Sequence, residues 1–382
     1  MKIVYVFSTL AKTGGTERII TEKANYYAEK FGYDITIINC LQHSGDDNHF
    51  FLSKKVKQIN IGIPFYTQYK YKYPKRLWKK WILDKQIKKN IERYVQIINP
   101  DFLIGISFFY ANIVSTIKCR AIKIIECHEA KTFTHSNFNH SRSLLSSLFQ
   151  EVWRHFYFRT IEQNADIIIT LTEGDKLQWK KAKHIEVIPN FSTMPITKYS
   201  DGVTKRVISV GRLEKEKGFY RLIDIWKDVV YKHPDWSLDI FGEGKLKDDL
   251  ENRITSSKVR NLNLRESTLD ISKEYANSSI CVVTSYYEGF SLVLLEAMRH
   301  GLPCIAFDCP FGPRSIINDN INGFLINEND TKSYAEKLCV LIENENLRKK
   351  FSKAAIEKSS LFDTESIMQR WKKLFEQVSA NE

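Results

Sequence analysis

Strand-like apolar runs alternate with helical segments along almost the whole chain, and this alternation constrains the fold more than any other feature of the sequence. The strand-like runs of the first half are short, rich in Ile and Val, and bounded by polar or glycine-containing turns. They lie at residues 2–7, 34–39, 102–107, 122–127, 167–172 and 185–189, with helical segments near 76–98, 143–163 and 173–181. Such a series predicts an α/β domain with a largely parallel sheet.

A stretch with no strand pattern interrupts this series. Phe191–Thr204 contains Pro195 and the turn-forming run Ser200–Gly202, which are typical of a linker. A second α/β series follows, with strands near 206–211, 237–242, 259–264, 279–285, 303–307 and 323–326 and final helices near 331–343, 346–359 and 364–379. We therefore predict a first domain at 1–190, a linker at 191–204 and a second domain at 205–363. By analogy with related proteins, the last segment, about 364–382, could pack back on the first domain.

The net charge of +12 is unevenly distributed. Residues 1–190 hold 29 Lys and Arg against 17 Asp and Glu, whereas residues 191–382 hold 28 of each. Lys54–Arg93 alone has 13 basic and 2 acidic residues, and Phe65–Arg93 interleaves them with aromatic side chains. A basic aromatic surface can rest at the headgroups of an anionic bilayer, although nucleic-acid binding and a solvated helix face are alternatives. Because no nucleic-acid motif is recognisable, we expect an anionic membrane as the partner and no nucleic acid.

No apolar run approaches the roughly 18 residues that would span a membrane. The first residues read as a strand and lack a signal-peptide cleavage pattern, so we expect a cytoplasmic protein at the inner face of the cell membrane. The seven cysteines have scattered spacings without a metal-binding pattern, and we expect reduced core residues.

The segment Ser285–Pro303 places a glutamate inside an apolar helix. A strand-like run ends at Ser285, a polar turn follows, and an apolar segment extends from Phe290 to Met298. Glu296 therefore lies in a helix that we expect to be buried on nearly every face. A carboxylate there needs a hydrogen-bonding partner, which is either the protein backbone or a hydroxyl-rich ligand.

The turn before this helix has the features of an anion site. Glu288 lies in the turn, Gly289 allows close approach of a ligand, and Ser291 is a candidate helix cap. The first-turn amides of a helix at the carboxyl edge of a parallel sheet bind anions readily. Two glutamates on either side of such a helix start favour a ligand site.

A glycine-containing turn follows the first strand of each predicted domain. In the second domain, Gly211 precedes Arg212, and Lys217 follows five residues later, so both cations could hold a diphosphate. In the first domain, Gly14 and Gly15 precede a helix, where the backbone could approach a ligand. Each turn taken alone is also consistent with an ordinary βα connection and solvated charges.

Together these motifs resemble those of the retaining glycosyltransferases of family 4, which have the GT-B fold. The matching motifs are Gly14-Gly15-x-Glu17, His128, Pro189-Asn190, Gly211-Arg212-Leu213, Lys217-Gly218, Ser285-x-x-Glu288-Gly289-Phe290, Glu296-Ala297-Met298, Gly301-x-Pro303 and Asn322-Gly323. The resemblance covers the whole chain. It implies two Rossmann-like, doubly wound α/β domains that face each other across a cleft, the first on the acceptor side and the second binding the donor.

The resemblance also implies roles in the transfer of a hexose or N-acetylhexosamine from a UDP-sugar with retention of configuration. Arg212 and Lys217 would neutralise the leaving diphosphate. Glu288 would bond hydroxyls of the donor sugar and Glu296 those of the ribose, while His128 would lie near the transferred sugar. The remaining donor-binding positions are Gly14, Gly15, Asn190, Gly211, Gly289, Phe290 and Ser291.

No metal cofactor is expected. The sequence lacks Asp-x-Asp, the pattern with which metal-dependent glycosyltransferases of the other main fold hold a cation, and has a basic pair in its place. No carboxylate is clearly placed as a nucleophile, so the resemblance favours a front-face mechanism in which the leaving phosphate helps to deprotonate the acceptor. Cys309–Arg314 departs from the commoner glycine-rich turn of the family, and Phe191 stands where glycine is frequent, which leaves the donor sugar open.

The predicted function is sugar transfer to a glycan, in particular a lipid-linked oligosaccharide of bacterial surface polysaccharide synthesis. Two alternatives stay open. A UDP-sugar epimerase of the same fold would bind the same donor without needing an acceptor, so products formed without an acceptor separate the two enzymes. A catalytically inactive membrane or nucleic-acid adaptor would show salt-sensitive binding to its partner without competition by UDP.

Overall fold

The computed structural model describes residues 1–131, 144–268 and 270–380, with the side chains of 144–151 and 153 excepted. Residue 143 of one predicted helix and the last two residues of the chain lie outside this part. The described residues form two compact units, one of residues 1–131, 144–171 and 175–188 and one of residues 172–174 and 189–380. The predicted linker and the final helix belong to the second unit.

The first unit contains a seven-stranded parallel sheet. Its strands are β1 Lys2–Phe7, β2 Asp34–Asn39, β3 Lys57–Asn60, β4 Phe102–Ile106, β5 Ile122–Glu126, β6 Ile167–Thr170 and β7 Ile185–Val187. Their order is β3-β2-β1-β4-β5-β6-β7, so the direction of winding reverses between β1 and β4. This is a doubly wound, Rossmann-like sheet, in which ligands bind at the carboxyl ends of the strands near the reversal.

Helices connect these strands. They are α1 Gly15–Tyr26, α2 Lys75–Ile98, α3 Ser107–Ser115, α4 Leu144–Asn164 and α5 Glu173–Lys176. A π-helical turn, Tyr27–Phe31, continues α1, and a 3-10 helix, Phe65–Lys70, precedes α2.

The second unit repeats this winding with six parallel strands in the order β10-β9-β8-β11-β12-β13. The strands are β8 Arg206–Val210, β9 Ser237–Phe241, β10 Leu262–Arg265, β11 Ile280–Val283, β12 Cys304–Phe307 and β13 Gly323–Ile326. The helices are α6 Phe219–Lys232, α7 Lys247–Ser256, α8 Ile271–Ala276, α9 Leu292–Arg299, α10 Gly312–Ile316, α11 Thr331–Glu343, α12 Glu345–Ser360 and α13 Thr364–Ser379. Here the winding reverses between β8 and β11.

Burial of both sheet faces explains the strand sequences. Every residue of β4, β6, β11 and β12 is buried, as expected for parallel strands covered by helices on both sides. All seven cysteines are free thiols, and six of them are buried as expected, whereas Cys119 is half-buried. Within the described residues, no helix combines the length and apolar character needed to cross a bilayer.

The structure differs from the predicted elements in three places. Helix α3, Ser107–Ser115, directly follows β4 and was not predicted. The edge strand β3 was missed because Lys57–Asn60 is only half-buried and lies in the basic stretch, where no apolar run marks a strand. The helix predicted at 173–181 is the single turn α5, Glu173–Lys176.

The predicted linker, Phe191–Thr204, contains no helix or strand, yet it is hydrogen-bonded to the rest of the second unit. The Ser200 amide donates to the His300 carbonyl at 2.8 Å, and the Ser200 hydroxyl donates to the Ser278 carbonyl at 2.5 Å. The Ser272 hydroxyl donates to the Pro195 carbonyl at 2.8 Å. This segment is therefore a fixed part of the second unit.

Candidate active site

Two of the predicted site residues meet where the winding of the second sheet reverses. Lys217 follows β8 and Glu288 follows β11, so both lie beyond the carboxyl ends of adjacent strands. The Lys217 Nζ atom donates to Glu288 Oε1 at 2.7 Å. Residues 71 positions apart in sequence thus form one ion pair at the place where a doubly wound sheet binds its ligand.

This pair remains partly accessible to solvent. The side chain of Lys217 is 19% exposed and that of Glu288 is 11% exposed. The Ser285 hydroxyl donates to the same Glu288 oxygen at 2.6 Å, which fixes the carboxylate. An ammonium and a carboxylate so placed can exchange their mutual contact for a phosphate oxygen and a sugar hydroxyl, respectively.

Gly218 holds the loop that carries Lys217 against the end of β11. Its backbone has φ +68°, and a Cβ atom there would collide with the Thr284 carbonyl oxygen. The Thr284 hydroxyl in turn bonds the carbonyls of Lys217 and Gly218, each at 3.2 Å. The loop therefore needs glycine for both its conformation and its close approach.

Arg221 organises the segment before Glu288, and the sequence analysis did not single it out. Its guanidinium donates to the carbonyls of Thr284 and Ser285 at 2.7 and 2.6 Å, and to Glu328 Oε1 at 2.7 Å. It also lies within 4 Å of the ring centres of Tyr286 and Phe307, at 3.8 and 3.9 Å. An arginine among the buried apolar residues of α6 is the signal that could have identified it.

Arg212 is placed differently from Lys217. Its side chain is 63% exposed, and its Nη2 atom lies 3.1 Å from Glu216 Oε1. The preceding Gly211 packs against Gly242, where a Cβ atom would collide with the Gly211 carbonyl oxygen. A diphosphate that binds Arg212 has to compete with the Glu216 carboxylate.

The start of α9 has an unpaired polar group. Ser291 occupies the N-cap position, as predicted, but its hydroxyl makes no capping bond and has no hydrogen-bond partner among the described residues although it is buried. Gly289 is half-buried, and the buried Phe290 packs on Phe362 with ring centres 5.6 Å apart. An unsatisfied buried hydroxyl costs about 1–3 kcal/mol, so this helix start suits a ligand that supplies a polar atom.

Glu296 is buried within α9, as expected. One turn later, His300 is anchored through both of its ring nitrogens. Nδ1 lies 2.8 Å from the Glu296 carbonyl oxygen, and Nε2 lies 2.8 Å from the Ser272 hydroxyl. Burial lowers the pKa of His300.

The unusual segment Cys309–Arg314 packs directly on Glu288. The Gly312 amide donates to the Glu288 carbonyl at 3.0 Å, and a Cβ atom on Gly312 would lie 2.6 Å from Glu288 Cβ. Phe311 has φ +77° and ψ −54°, and the Gly312 amide also contacts the Pro310 carbonyl at 3.2 Å. This is a γ-turn with a strained central residue, a feature that tends to occur at functional sites.

In the first unit, Gly14 and Gly15 begin α1, as predicted. Gly14 is the extended N-cap residue, and the Glu17 carboxylate folds over it so closely that a Cβ atom would collide. A negative charge at a helix N-terminus is electrostatically favourable. Any anionic ligand at these amides has to compete with Glu17.

His128 follows β5 and is held by a buried ion pair. Its Nε2 atom lies 3.0 Å from Glu126 Oε1, and the same oxygen accepts a bond from Lys23 Nζ at 2.6 Å. Burial alone would raise the pKa of Glu126, but the charges and hydrogen bonds of Lys23 and His128 lower it to about 2. Burial lowers the pKa of Lys23. Glu126, two residues before His128, therefore contacts its ring.

Asn190, which precedes the predicted linker, is buried, and so is its neighbour Phe191.

Comparisons with known proteins agree with this architecture. A family model described as "Glycosyl transferases group 1" matches residues 198–358. A Haemophilus influenzae protein named as an uncharacterized glycosyltransferase is 30% identical over 380 residues, which cover 97% of this chain and 99% of the relative. The amylovoran biosynthesis glycosyltransferase AmsD of Erwinia amylovora is 34% identical over 223 residues, which cover 54% of this chain and 61% of that protein.

A similar fold has been solved for a mutant of S. aureus TarM in complex with Fondaparinux, alpha-GlcNAc-glycerol and UDP. It has a TM-score of 0.77 and 19% identity, over 98% of this chain and 99% of that chain. With the two doubly wound sheets, this likeness confirms the predicted fold class of two Rossmann-like α/β domains.

Proposed function

Because this chain belongs to the glycosyl transferases of group 1, we propose that it is a retaining, UDP-sugar-dependent enzyme that transfers a hexose or an N-acetylhexosamine to a glycan. The observation that carries this proposal is the Lys217–Glu288 ion pair at the reversal point of the second sheet. UDP in the TarM complex supports the choice of nucleotide. The name of AmsD supports a glycan acceptor from bacterial polysaccharide synthesis.

The donor is proposed to bind across the carboxyl ends of β8 and β11. Lys217 and Arg212 exchange Glu288 and Glu216 for oxygens of the diphosphate, which is the stronger partner because it carries more than one negative charge. The released Glu288 carboxylate accepts hydrogen bonds from the transferred sugar. The start of α9, with the Ser291 hydroxyl, supplies donors to the same ligand, and Glu296 accepts bonds from the ribose.

In the proposed reaction, the bond between the anomeric carbon of the sugar and the β-phosphate oxygen breaks, and the acceptor oxygen bonds to the same face of that carbon. The proton of the acceptor hydroxyl passes to the departing phosphate. Negative charge accumulates on the diphosphate as the bond breaks, and Lys217 and Arg212 stabilise it there. This role of the two cations supports a reaction that needs no metal ion. Contact of His128 with the transferred sugar stays a prediction.

A donor screen tests the function directly. The purified protein is incubated with a panel of UDP-sugars, and free UDP is measured with and without glycan acceptors. We expect hydrolysis or transfer with at least one donor, and a loss of about 100-fold or more in Glu288→Ala and Arg212→Ala. Arg253→Ala is the matched control, because Arg253 forms an exposed ion pair with Asp224 in the same unit.

The outcomes separate the alternatives. Absence of both turnover and binding across the panel contradicts the proposal. Conversion of the sugar within the UDP-sugar, without acceptor, identifies an epimerase. A product with inverted configuration at the anomeric carbon contradicts retention alone.

A further inference from the structure

A group of large, mostly aromatic side chains on the first unit is exposed to solvent. It consists of Tyr66, Tyr69, Tyr71, Tyr73, Leu77, Trp78 and Trp81, which are 36–68% exposed, together with the cations between them. These residues lie on the 3-10 helix Phe65–Lys70, the connection after it and the first two turns of α2. We call residues 66–81 the aromatic–basic surface.

The structure of α2 explains why these side chains are exposed. Its buried residues are Leu83, Ile87, Ile91 and Val95, spaced four apart on one face, and none occurs before Leu83. The last four turns of the helix therefore pack on the core of the first unit. The first two turns extend beyond that core, and there an exposed helix would ordinarily be polar.

The positive charge of this surface indicates what kind of partner it binds. Residues 65–83 contain six Lys and Arg and no Asp or Glu, and one of these cations, Lys80, pairs with Asp84 at 2.5 Å. Several of these cations lie over the aromatic rings, with Arg76 4.3 Å from the ring centre of Tyr69 and Lys75 4.9 Å from that of Tyr71. Cations and rings thus form one continuous patch, which suits a negatively charged layer with an apolar interior.

The structure also shows which part of the basic stretch Lys54–Arg93 is available to a partner. At its ends, Lys57 pairs with Asp34 at 2.8 Å, and Lys88 donates to the Thr116 hydroxyl at 3.1 Å. Both cations are therefore engaged within the protein. The part of Lys54–Arg93 that presents cations together with exposed aromatic residues is the aromatic–basic surface.

We propose that the aromatic–basic surface binds an anionic phospholipid bilayer at headgroup depth. Tyr and Trp are the residues that prefer the membrane–water interface, because their rings are apolar and their tips are polar. Lys and Arg beside them attract anionic headgroups, each strengthening binding by about fivefold. This pairing of ring and cation distinguishes a bilayer from an acidic protein, which attracts the cations without requiring exposed Tyr and Trp rings beside them.

The aromatic–basic surface lies next to a loop of the candidate site. Lys12, in the loop between β1 and α1, donates to the Tyr66 hydroxyl at 3.2 Å. The surface therefore adjoins the loop that leads to Gly14 and Gly15 at the carboxyl edge of the first sheet. A glycan carried by a membrane lipid would be presented beside that edge. This last step rests on the proposed function, whereas bilayer binding does not.

Vesicle flotation tests the proposal with the full-length protein. We expect binding to phosphatidylcholine vesicles that contain phosphatidylglycerol, little binding to pure phosphatidylcholine, and weaker binding as salt is raised. Combining Lys72→Glu, Lys75→Glu and Lys79→Glu should weaken binding by about 100-fold or more. The control combines Lys350→Glu, Lys353→Glu and Lys373→Glu, which change the charge equally at exposed positions of α12 and α13.

The aromatic contribution has its own test. Trp78→Ser combined with Trp81→Ser should weaken binding by about tenfold or more, because two indoles no longer leave water. Tyr231→Ser is the control, since Tyr231 is 81% exposed in the second unit. Circular dichroism establishes that each variant is folded. Lipids brominated near the headgroup should quench the tryptophan fluorescence of the parent protein more than that of the double variant.

Three results would overturn the proposal. One is equal binding to neutral and anionic vesicles, or equal loss in the charge-reversed protein and its control. Another is a dimer that dissociates when Trp78 and Trp81 are replaced, which would make a second copy the partner. A third is RNA or DNA that displaces the protein from anionic vesicles and binds through the same cations. Because flotation needs no sugar donor, failure here leaves the proposed sugar transfer unaffected, and the reverse also holds.

Discussion

Each of the two units has a lysine–glutamate ion pair at the carboxyl edge of its sheet, and the two pairs differ mainly in burial. Lys23 and Glu126 are 2.6 Å apart with each side chain 2% exposed, whereas Lys217 and Glu288 are 2.7 Å apart with 19% and 11% exposed. The first pair lies inside the protein and holds His128. The second borders solvent, where a ligand can replace either partner. Similar geometry therefore supports a positioning role in one unit and ligand binding in the other.

The largest expected effect is on stability, in Lys23→Met. Removal of one partner leaves the Glu126 charge buried, which typically costs about 3–5 kcal/mol, and the double variant with Glu126→Leu should recover part of this loss. The free energy of unfolding from urea titration measures both. Lys57→Met is the control, because its pair with Asp34 is exposed and should contribute about 0–1 kcal/mol. Equal losses in Lys23→Met and Lys57→Met would remove the distinction between the pairs.

The next effect concerns catalysis, in Lys217→Ala. The rate of sugar transfer should fall by about 100- to 1,000-fold, because a cation that stabilises the leaving group is lost. The thermal midpoint should fall less than in Lys23→Met, because this pair is less buried and Glu288 keeps its hydrogen bond from the Ser285 hydroxyl. Lys215→Ala, an exposed neighbour in the same loop, is the control. If Lys217→Ala unfolds the second unit instead, the Lys217–Glu288 pair stabilises the fold, as the Lys23–Glu126 pair does.

A smaller effect is expected from Gly218→Ala. Gly218 and Gly202 have nearly the same backbone, with φ of +68° and +70°, but nothing lies within 4 Å of a Cβ atom at Gly202. Alanine at either position costs about 1–2 kcal/mol for the left-handed conformation. Only Gly218→Ala adds a collision with Thr284, so thermal unfolding should show the greater loss there, with reduced sugar transfer. Equal losses of stability in Gly218→Ala and Gly202→Ala would mean that the loop at Gly218 shifts away from Thr284 without cost.

The smallest effect is a dependence of stability on pH. The folded pKa of Glu126, about 2, is below its ordinary value of 4.5, so its contribution is present above pH 4.5 and is lost as pH falls towards 2. The slope attributable to this one group is at most about 1.4 kcal/mol per pH unit. Urea unfolding of the parent and of Glu126→Gln across this range should show a stability difference that shrinks as pH falls. A stability difference that stays constant with pH would mean that the pKa of Glu126 is not lowered by its contacts with Lys23 and His128.

The sequence predicted the elements well where burial dominates. The runs at β1, β2 and β13 have the predicted bounds, because strands buried on both faces are rich in apolar residues. The predicted turns before α1, α6 and α9 also lie at the carboxyl edges of the sheets, since glycine and polar residues mark them. Local chemistry was therefore sufficient for the position of most site residues.

The contacts between distant residues could not be predicted. Lys23 is one lysine in an amphipathic helix, and nothing nearby indicates a carboxylate 103 positions away. Ser291 occupies the predicted cap position, yet its hydroxyl makes no capping bond, because cap geometry depends on the backbone angles of the turn. Arg221 binds the carbonyls of Thr284 and Ser285, which follow β11, and such contacts leave no local pattern in the sequence.

The buried pair of the first unit also has a consequence for synthesis of the chain on the ribosome. The Lys23–Glu126 bond cannot form until β5 has emerged, 103 residues after Lys23. At roughly 5–20 residues per second, this interval lasts about 5–20 s. During this interval, burial of α1 would remove water from Lys23 before the Glu126 carboxylate is present to pair with it. Helix α1 is therefore expected to dock late in the nascent chain, and to remain a target for chaperones until the fifth strand arrives.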